Sequence, residues 1–129
     1  MSRRDARVAA LEVLYEADAR DEDALDVMAR KGEGDPYARR LIEGVVAHSA
    51  DIDAVISSHS RGWEITHMPV IDRNALRLAL YELIWGGIPA AVVMDEAVEL
   101  CKQYSSDEAG RFVNGILAAV AAEQAQAPR

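Results

Sequence analysis

Apolar residues in this chain recur every three or four positions along almost its whole length. No stretch of alternating apolar and polar residues makes a convincing strand. That period gives each of a series of helices one apolar stripe and leaves no pleated face from which to build a sheet. The predicted fold class is therefore all-α, six to seven helices whose stripes are buried against one another. A length of 129 residues suffices for a stapleless core and points to a single domain. Gly62 interrupts the pattern near the middle, so the helices are expected to sort into two small packed bundles, an N-terminal subbundle over about 3–61 and a C-terminal one over about 62–123.

The first predicted helix runs from about Arg3 to Arg20, with Val8, Leu11, Leu14 and Tyr15 on one face and Asp5, Glu12 and Glu16 opposite. A short helix over about Glu22 to Arg30 precedes the break Lys31-Gly32-Glu33-Gly34. Asp35 as N-cap and Pro36 at the first helical position open a third. Its Tyr37, Leu41, Val45, Ile52, Val55 and Ile56 predict one long helix to about Ser60. Asp72 reads as the N-cap of the next, with Leu76, Ala79, Leu80 and Leu83 inward and Gly86-Gly87 as its end. Pro89 opens another, with Val93, Ala97, Leu100 and Cys101 inward and Asp95, Glu96, Glu99 and Lys102 outward. Ser105-Ser106-Asp107-Glu108 is a capping cluster for the last helix, which buries Phe112, Val113, Ile116, Leu117 and Val120. The tail from Gln124 to Arg129 reads as frayed.

Little in this pattern is equipped for chemistry. The single cysteine excludes a disulfide framework or a cysteine-based zinc cluster, and Cys101 lies in an apolar stripe as a core residue. Glu12 and Glu16 interrupt any apolar run behind the first arginines, so no secretory signal is expected. The uncharged stretch Leu83 to Met94 is too short and too broken to span a membrane. A soluble cytoplasmic protein is the expectation. His48, His59 and His67 are not spaced to share a helical face, and neither a HExxH pair nor a glycine-rich phosphate loop is present. Glu96 and Glu99 share a face but lack the Glu-x-x-His partner of a di-metal bundle, so they read as a solvated surface. No catalytic residue, metal or cofactor is expected.

Charge is more informative. The net charge is −8, which disfavours non-specific nucleic-acid binding. Yet the cations are 12 Arg against 2 Lys, and Arg3, Arg4 and Arg7 crowd the start of the chain against Asp5 alone. Arginines there oppose the helix dipole and cost a little stability. Arg3 and Arg7 also align with the apolar stripe. Either this is a solvated chain start, or a local rule is broken for function. Arg73, Arg77 and Tyr81, at i, i+4 and i+8, form either an interaction surface or an internal ion-pair network.

Four segments together carry a family resemblance. Asp72-Arg73-Asn74-Ala75-Leu76-Arg77-Leu78-Ala79-Leu80-Tyr81-Glu82-Leu83 resembles the DR-x-x-LR-x-A-x-YEL signature of the NusB family of bacterial antitermination factors. Ile88-Pro89 followed by Asp95-Glu96-Ala97-Val98-Glu99-Leu100 and Lys102 is similar to its IP…EAVELAK helix, and Phe112-Val113-Asn114-Gly115-Ile116-Leu117 to its FVNGVL motif. The opening Arg3-Arg4-Asp5-Ala6-Arg7, with Ala10-Leu11 and Leu14-Tyr15, resembles the family's arginine-rich first helix. Two departures stand out: Asp5 interrupts the basic run, and Glu108-Ala109-Gly110 replaces the usual Asp-Ser-polar sequence.

The resemblance implies two packed helical bundles and a non-catalytic role. NusB proteins bind the boxA element of nascent ribosomal RNA transcripts with NusE, a ribosomal protein of the small subunit, within the RNA polymerase antitermination complex. Carried over by position, Arg3, Arg4, Arg7, Glu108 and Phe112 are expected on one RNA-binding surface, and Tyr15 and Asp72 on the NusE side. Arg3, Arg4 and Arg7 are expected to project outward beside the last helix. Three arginine–phosphate contacts imply a salt slope of about −2 for single-stranded RNA. Some relatives dimerise, so a homodimer is a further possible assembly. Two rival readings are a helical dimerisation module with solvated arginines and a detached NusB-like domain of an RNA methyltransferase, for whose catalytic domain this length leaves no room.

Overall fold

Four side-chain caps set where the chain enters its helices. The Ser2 hydroxyl accepts from the Asp5 amide at 3.0 Å and opens α1, Arg3–Arg20. The Asp23 carboxylate accepts from the Leu25 amide at 2.7 Å and opens α2, Ala24–Lys31. Asp35 accepts from Tyr37 and Ala38 and, with Pro36 in the first turn, opens α3, Pro36–Ala47, as predicted. α4 spans Ser49–His59, and after a 3-10 turn over Ile65–His67 come α5, Val70–Ile84, and α6, Ala90–Tyr104. The Ser106 hydroxyl accepts from the Ala109 amide at 3.0 Å and opens α7, Asp107–Gln126. These elements are those of a computed structural model that describes residues 1–32 and 34–127. Glu33 of the predicted break and Pro128 and Arg129 of the tail lie outside the described residues.

Four details differ from expectation. α2 starts at Ala24 because Asp23 is the cap and Asp21, at φ 55°, has already turned the chain out of α1. The long helix predicted from Pro36 to Ser60 is two helices, divided at His48 (φ −109°, ψ 17°). The bend lets α3 place Leu41, Ile42 and Val45 in one apolar cluster while α4 places Ile52 and Ile56 in another. A straight helix cannot face both. Asp72 is not an N-cap: α5 begins at Val70 behind Pro69, and Asp72 is buried inside its first turn, accepting from the Ser105 hydroxyl at 2.5 Å. α7 runs on to Gln126, because its alanine-rich end has the highest helix propensity.

The smaller cluster joins α1, α2, α3 and α5 through residues including Val13, Leu14, Val27, Leu41 and Leu78. The larger one joins α4, α5, α6 and α7 around Ile52, Ile56, Leu76, Leu80, Val113 and Leu117, with Leu11 reaching in from α1. α1 and α5 serve both clusters and form the spine between them. Gly44 lets α3 close on this spine, since a Cβ there would stand 2.2 Å from the Tyr81 ring.

Polar ties fix the spine as an antiparallel pair. At one end Arg73 donates two bonds to Asp18, at 2.6 and 2.7 Å, while Asn74 and Arg77 donate at 2.7 and 2.9 Å. Arg77 also forks onto Asp53 of α4. Burial pushes the Asp18 carboxyl up, but the hydrogen bonds from Arg73 and Asn74 and the charge of both arginines prevail and hold it below the usual range. Of the two readings of Arg73 and Arg77, the internal network is the one found. Tyr81 takes no part in it and packs instead on Gly44, near the stacked rings of His48 and Trp85.

Candidate nucleic-acid interface

The other end of the spine carries the N-terminal arginines. Arg7 is buried, 4% exposed, and its guanidinium forks onto the Glu82 carboxylate of α5 at 2.8 and 2.9 Å. Glu82, also buried, accepts a further bond from the Tyr37 hydroxyl of α3. Burial alone depresses the Arg7 pKa, but the hydrogen bonds and charge of Glu82 reverse this and raise it. Burial and the Glu82 carboxylate together push the Tyr37 phenol up to about 12, so it stays a neutral donor. Arg7 is therefore an internal tie from α1 to α5. The expectation that it projects outward, opposing only the helix dipole, is overturned because an acid in the α5 core needs its charge.

Arg3 and Arg4 remain at the surface. The Arg3 guanidinium lies 4.6 Å from the centroid of the Tyr37 ring, with Arg7 at 6.0 Å from the same ring. Arg4 forks onto Glu96 of α6 through Nε and Nη2, at 3.0 and 2.9 Å. That contact holds the Glu96 carboxyl below the usual range. Glu96 is thus not the solvated residue expected from its helix face. Arg4 stays 62% exposed at the side chain, with Nη1 outside the fork. The partners of the three arginines lie on α3, α5 and α6, not beside α7 as expected.

The remaining expected residues fall into another region. Glu108, Phe112 and Asp72 line one cleft of about 400 Å³ with Trp63, Met68 and Ser105. Phe112 is half-buried, packing on the larger core cluster and lining this cleft. Tyr15 stands 42% exposed on α1 and lines none of these surfaces. The structure thus brings Asp72, Glu108 and Phe112 together, groups Arg3, Arg4 and Arg7 separately, and leaves Tyr15 by itself.

Some residues at these surfaces were absent from the sequence-based site. Tyr37 reads as a plain core position in the apolar period, yet it is the ring beneath Arg3. Trp63 is the most exposed aromatic, at 60%. Its signal is a tryptophan outside any helical stripe, directly after Arg61-Gly62. Two of the three histidines are engaged within the fold: His48 stacks on Trp85 at 4.1 Å, and His59 bonds Glu123 and the Val55 carbonyl. Among the described residues no group of three or more His, Cys, Asp or Glu side chains is placed to hold a metal ion. No helix is long and apolar enough to cross a membrane among the described residues.

Residues 4–122 match the model of the NusB family. The chain belongs to the NusB family. It is 50% identical over 130 residues to the transcription antitermination protein NusB of Acidothermus cellulolyticus, a match covering 96% of this chain and 90% of that one. Its fold is similar to that of T. maritima NusB, with a TM-score of 0.87 at 37% identity over 95% of this chain and 92% of the other. It is also similar to a chain in the crystal structure of the antitermination factors NusB and NusE in complex with dsRNA. There the TM-score is 0.80 and the identity 34%, over 94% of this chain and 96% of that one. The helical fold and the family membership therefore agree with what the signature motifs imply. The buried fork from Arg7 to Glu82 links two of those motifs, the arginine-rich opening and the YEL segment, so both serve the fold of this NusB-family chain.

Proposed function

We propose that this chain is an RNA-binding transcription antitermination factor that recognises boxA RNA of nascent ribosomal RNA transcripts together with NusE and joins the RNA polymerase antitermination complex. The observation that carries this reading is the likeness, over nearly the whole chain, to the factor whose structure includes NusE and dsRNA. The charge distribution supports it. On a body of net charge −8, Arg3 and Arg4 present guanidinium groups to solvent at one corner. RNA is repelled by most of the remaining surface, so its approach is restricted. Arg4 can contact a phosphate through Nη1 without leaving Glu96, and Arg3 is steadied over Tyr37.

Arg7 enters this reading as a positioning residue, anchoring the helix from which Arg3 and Arg4 extend. Glu108 and Phe112 supply a second surface, where a base can stack on the exposed part of the phenyl ring. Asp72, buried against Ser105 in the same cleft as Glu108 and Phe112, and the exposed Tyr15 ring on α1 are the residues proposed to face NusE. The role is one of binding rather than catalysis.

A gel-shift with boxA RNA and a scrambled RNA of equal length, each with and without NusE, tests the proposal. The expected result is a boxA-selective shift that NusE strengthens. No shift in any lane, or equal shifts with both RNAs, overturns it.

A further inference from the structure

We infer that Glu96 is a built-in competitor for RNA: its carboxylate occupies the Arg4 guanidinium as a phosphate would, and so limits how tightly the N-terminal corner holds any strand. This rests on the RNA-binding reading above and adds to it a residue that restrains affinity instead of supplying it. The two side chains meet across 92 positions, Arg4 in the first turn of α1 and Glu96 on α6. Arg4 Nε donates to Oε2 at 3.0 Å and Nη2 donates to Oε1 at 2.9 Å. Two parallel N–H bonds onto two oxygens of one anion are the geometry by which arginine takes either a carboxylate or a phosphate. Glu96 therefore fills the seat that a phosphate group of RNA would use.

The carboxylate is fixed from more than one side. Arg7 Nη1 stands 3.8 Å from Oε2, while the fork of Arg7 is held by Glu82. The Glu96 side chain is 18% exposed and that of Arg4 62%, so the acceptor is partly withdrawn behind a donor that faces solvent. The hydrogen bond and charge of Arg4, and then the charge of Arg7, outweigh burial and hold the Glu96 carboxyl below its usual range. It stays ionised at neutral pH and keeps its hold on Arg4. Glu99 and Asp5 add negative charge around the same guanidinium, and a groove of about 430 Å³ beside it is lined by Arg4, Asp5, Glu12 and Tyr104. Arg3 differs: its guanidinium lies over the Tyr37 ring and pairs with no carboxylate among the described residues. The competitor acts on one of the two surface arginines.

A lone guanidinium attracts a phosphate as a full charge. Once joined to a carboxylate it presents a dipole, and the two opposite Coulomb contributions largely cancel for an approaching anion. Arg4 keeps Nη1 for a first contact, but a phosphate that takes the forked edge has to displace Glu96. Phosphate contacts carry no sequence information, so this competition weakens boxA and unrelated RNA by the same factor. Base contacts and NusE then have to lift the cognate complex above that lowered level. A purely stabilising purpose suits the pair less well. Exposed ion pairs contribute little to folding, and α1 already has its tie to α5 in the buried fork from Arg7 to Glu82.

The test is fluorescence anisotropy with labelled boxA RNA and a scrambled RNA of equal length, each with and without NusE. The proteins compared are wild type, Glu96→Gln, Arg4→Ala and Arg4→Ala/Glu96→Gln. Glu96→Gln keeps the side-chain volume and removes the charge. It is expected to tighten both RNAs by about 2- to 5-fold, the worth of an exposed ion pair, with little change in melting temperature. In the Arg4→Ala background the same substitution is expected to leave affinity at the Arg4→Ala level, because its effect passes through Arg4. Glu96→Asp keeps the charge but is one methylene short of the fork; it should shift binding in the same direction and carries the test if Glu96→Gln folds poorly. Equal affinities of wild type and both Glu96 variants overturn the inference and leave the RNA-binding reading standing. Weaker binding by Glu96→Gln overturns it too, making Glu96 a support that orients Arg4 for phosphate. Tightening that persists undiminished without Arg4 overturns it as well, since it then reports net charge alone. Absence of RNA binding by wild type in every arm overturns both.

Discussion

Replacing Arg7 with alanine separates two roles that the sequence alone confuses. The Arg7 side chain is 5% exposed and that of Glu82 2%, and they share a two-bond fork. Removing one partner of such a pair strands a charge in the core and costs about 3–5 kcal/mol. The Tyr37 hydroxyl remains to satisfy one Glu82 oxygen, which favours the lower part of that range. For a domain of this size the loss corresponds to roughly 10–20 °C in melting temperature. Urea unfolding followed by far-UV circular dichroism measures it directly. Arg7→Met/Glu82→Gln should recover much of the loss, because it removes both charges while leaving an acceptor for Tyr37. An Arg7→Ala protein within about 1 kcal/mol of wild type would refute the argument, because the cited cost requires the fork to be desolvated.

Other consequences follow from the same geometry. Arg3→Ala/Arg4→Ala should reduce the magnitude of the RNA salt slope by about 1.4 without lowering stability much, since both side chains are at the surface; an unchanged slope would remove them from the interface. The folded-state pKa of Asp18 is depressed, so its stabilising contribution is present above its ordinary value of 3.8 and disappears as pH falls through the depressed one. Asp18→Asn should therefore lower the melting temperature at neutral pH and converge with wild type in strong acid, a comparison that thermal melts across pH make directly. Gly44→Ala forces a methyl to within 2.2 Å of the Tyr81 ring and should cost about 1–3 kcal/mol by overpacking, read from chemical unfolding.

Where the sequence succeeded, the signal was local. Asp35-Pro36 and Ser105-Ser106 mark helix starts because a cap and its amides are within three residues of one another. The stripe Val93, Ala97, Leu100 and Cys101 is buried as its period predicts. Asp72 misled because a cap-type residue beside a helix start has the same local pattern whether it caps the helix or sits inside its first turn. Pro69 and the distant Ser105 decide between these. The split at His48 was hidden because the apolar period continues through it, and only the two clusters require the bend.

The amino-acid order by itself determined the helical class, most helix limits and the family, since all depend on neighbours within a few turns or on short motifs. Tertiary structure decided which charges face water. Arg7 meets Glu82 across 75 positions and Arg4 meets Glu96 across 92, whereas Arg61 and Arg111 meet no carboxylate among the described residues. An ion pair depends on distance in space and on exclusion of solvent, and one-dimensional spacing encodes neither until the helices have packed.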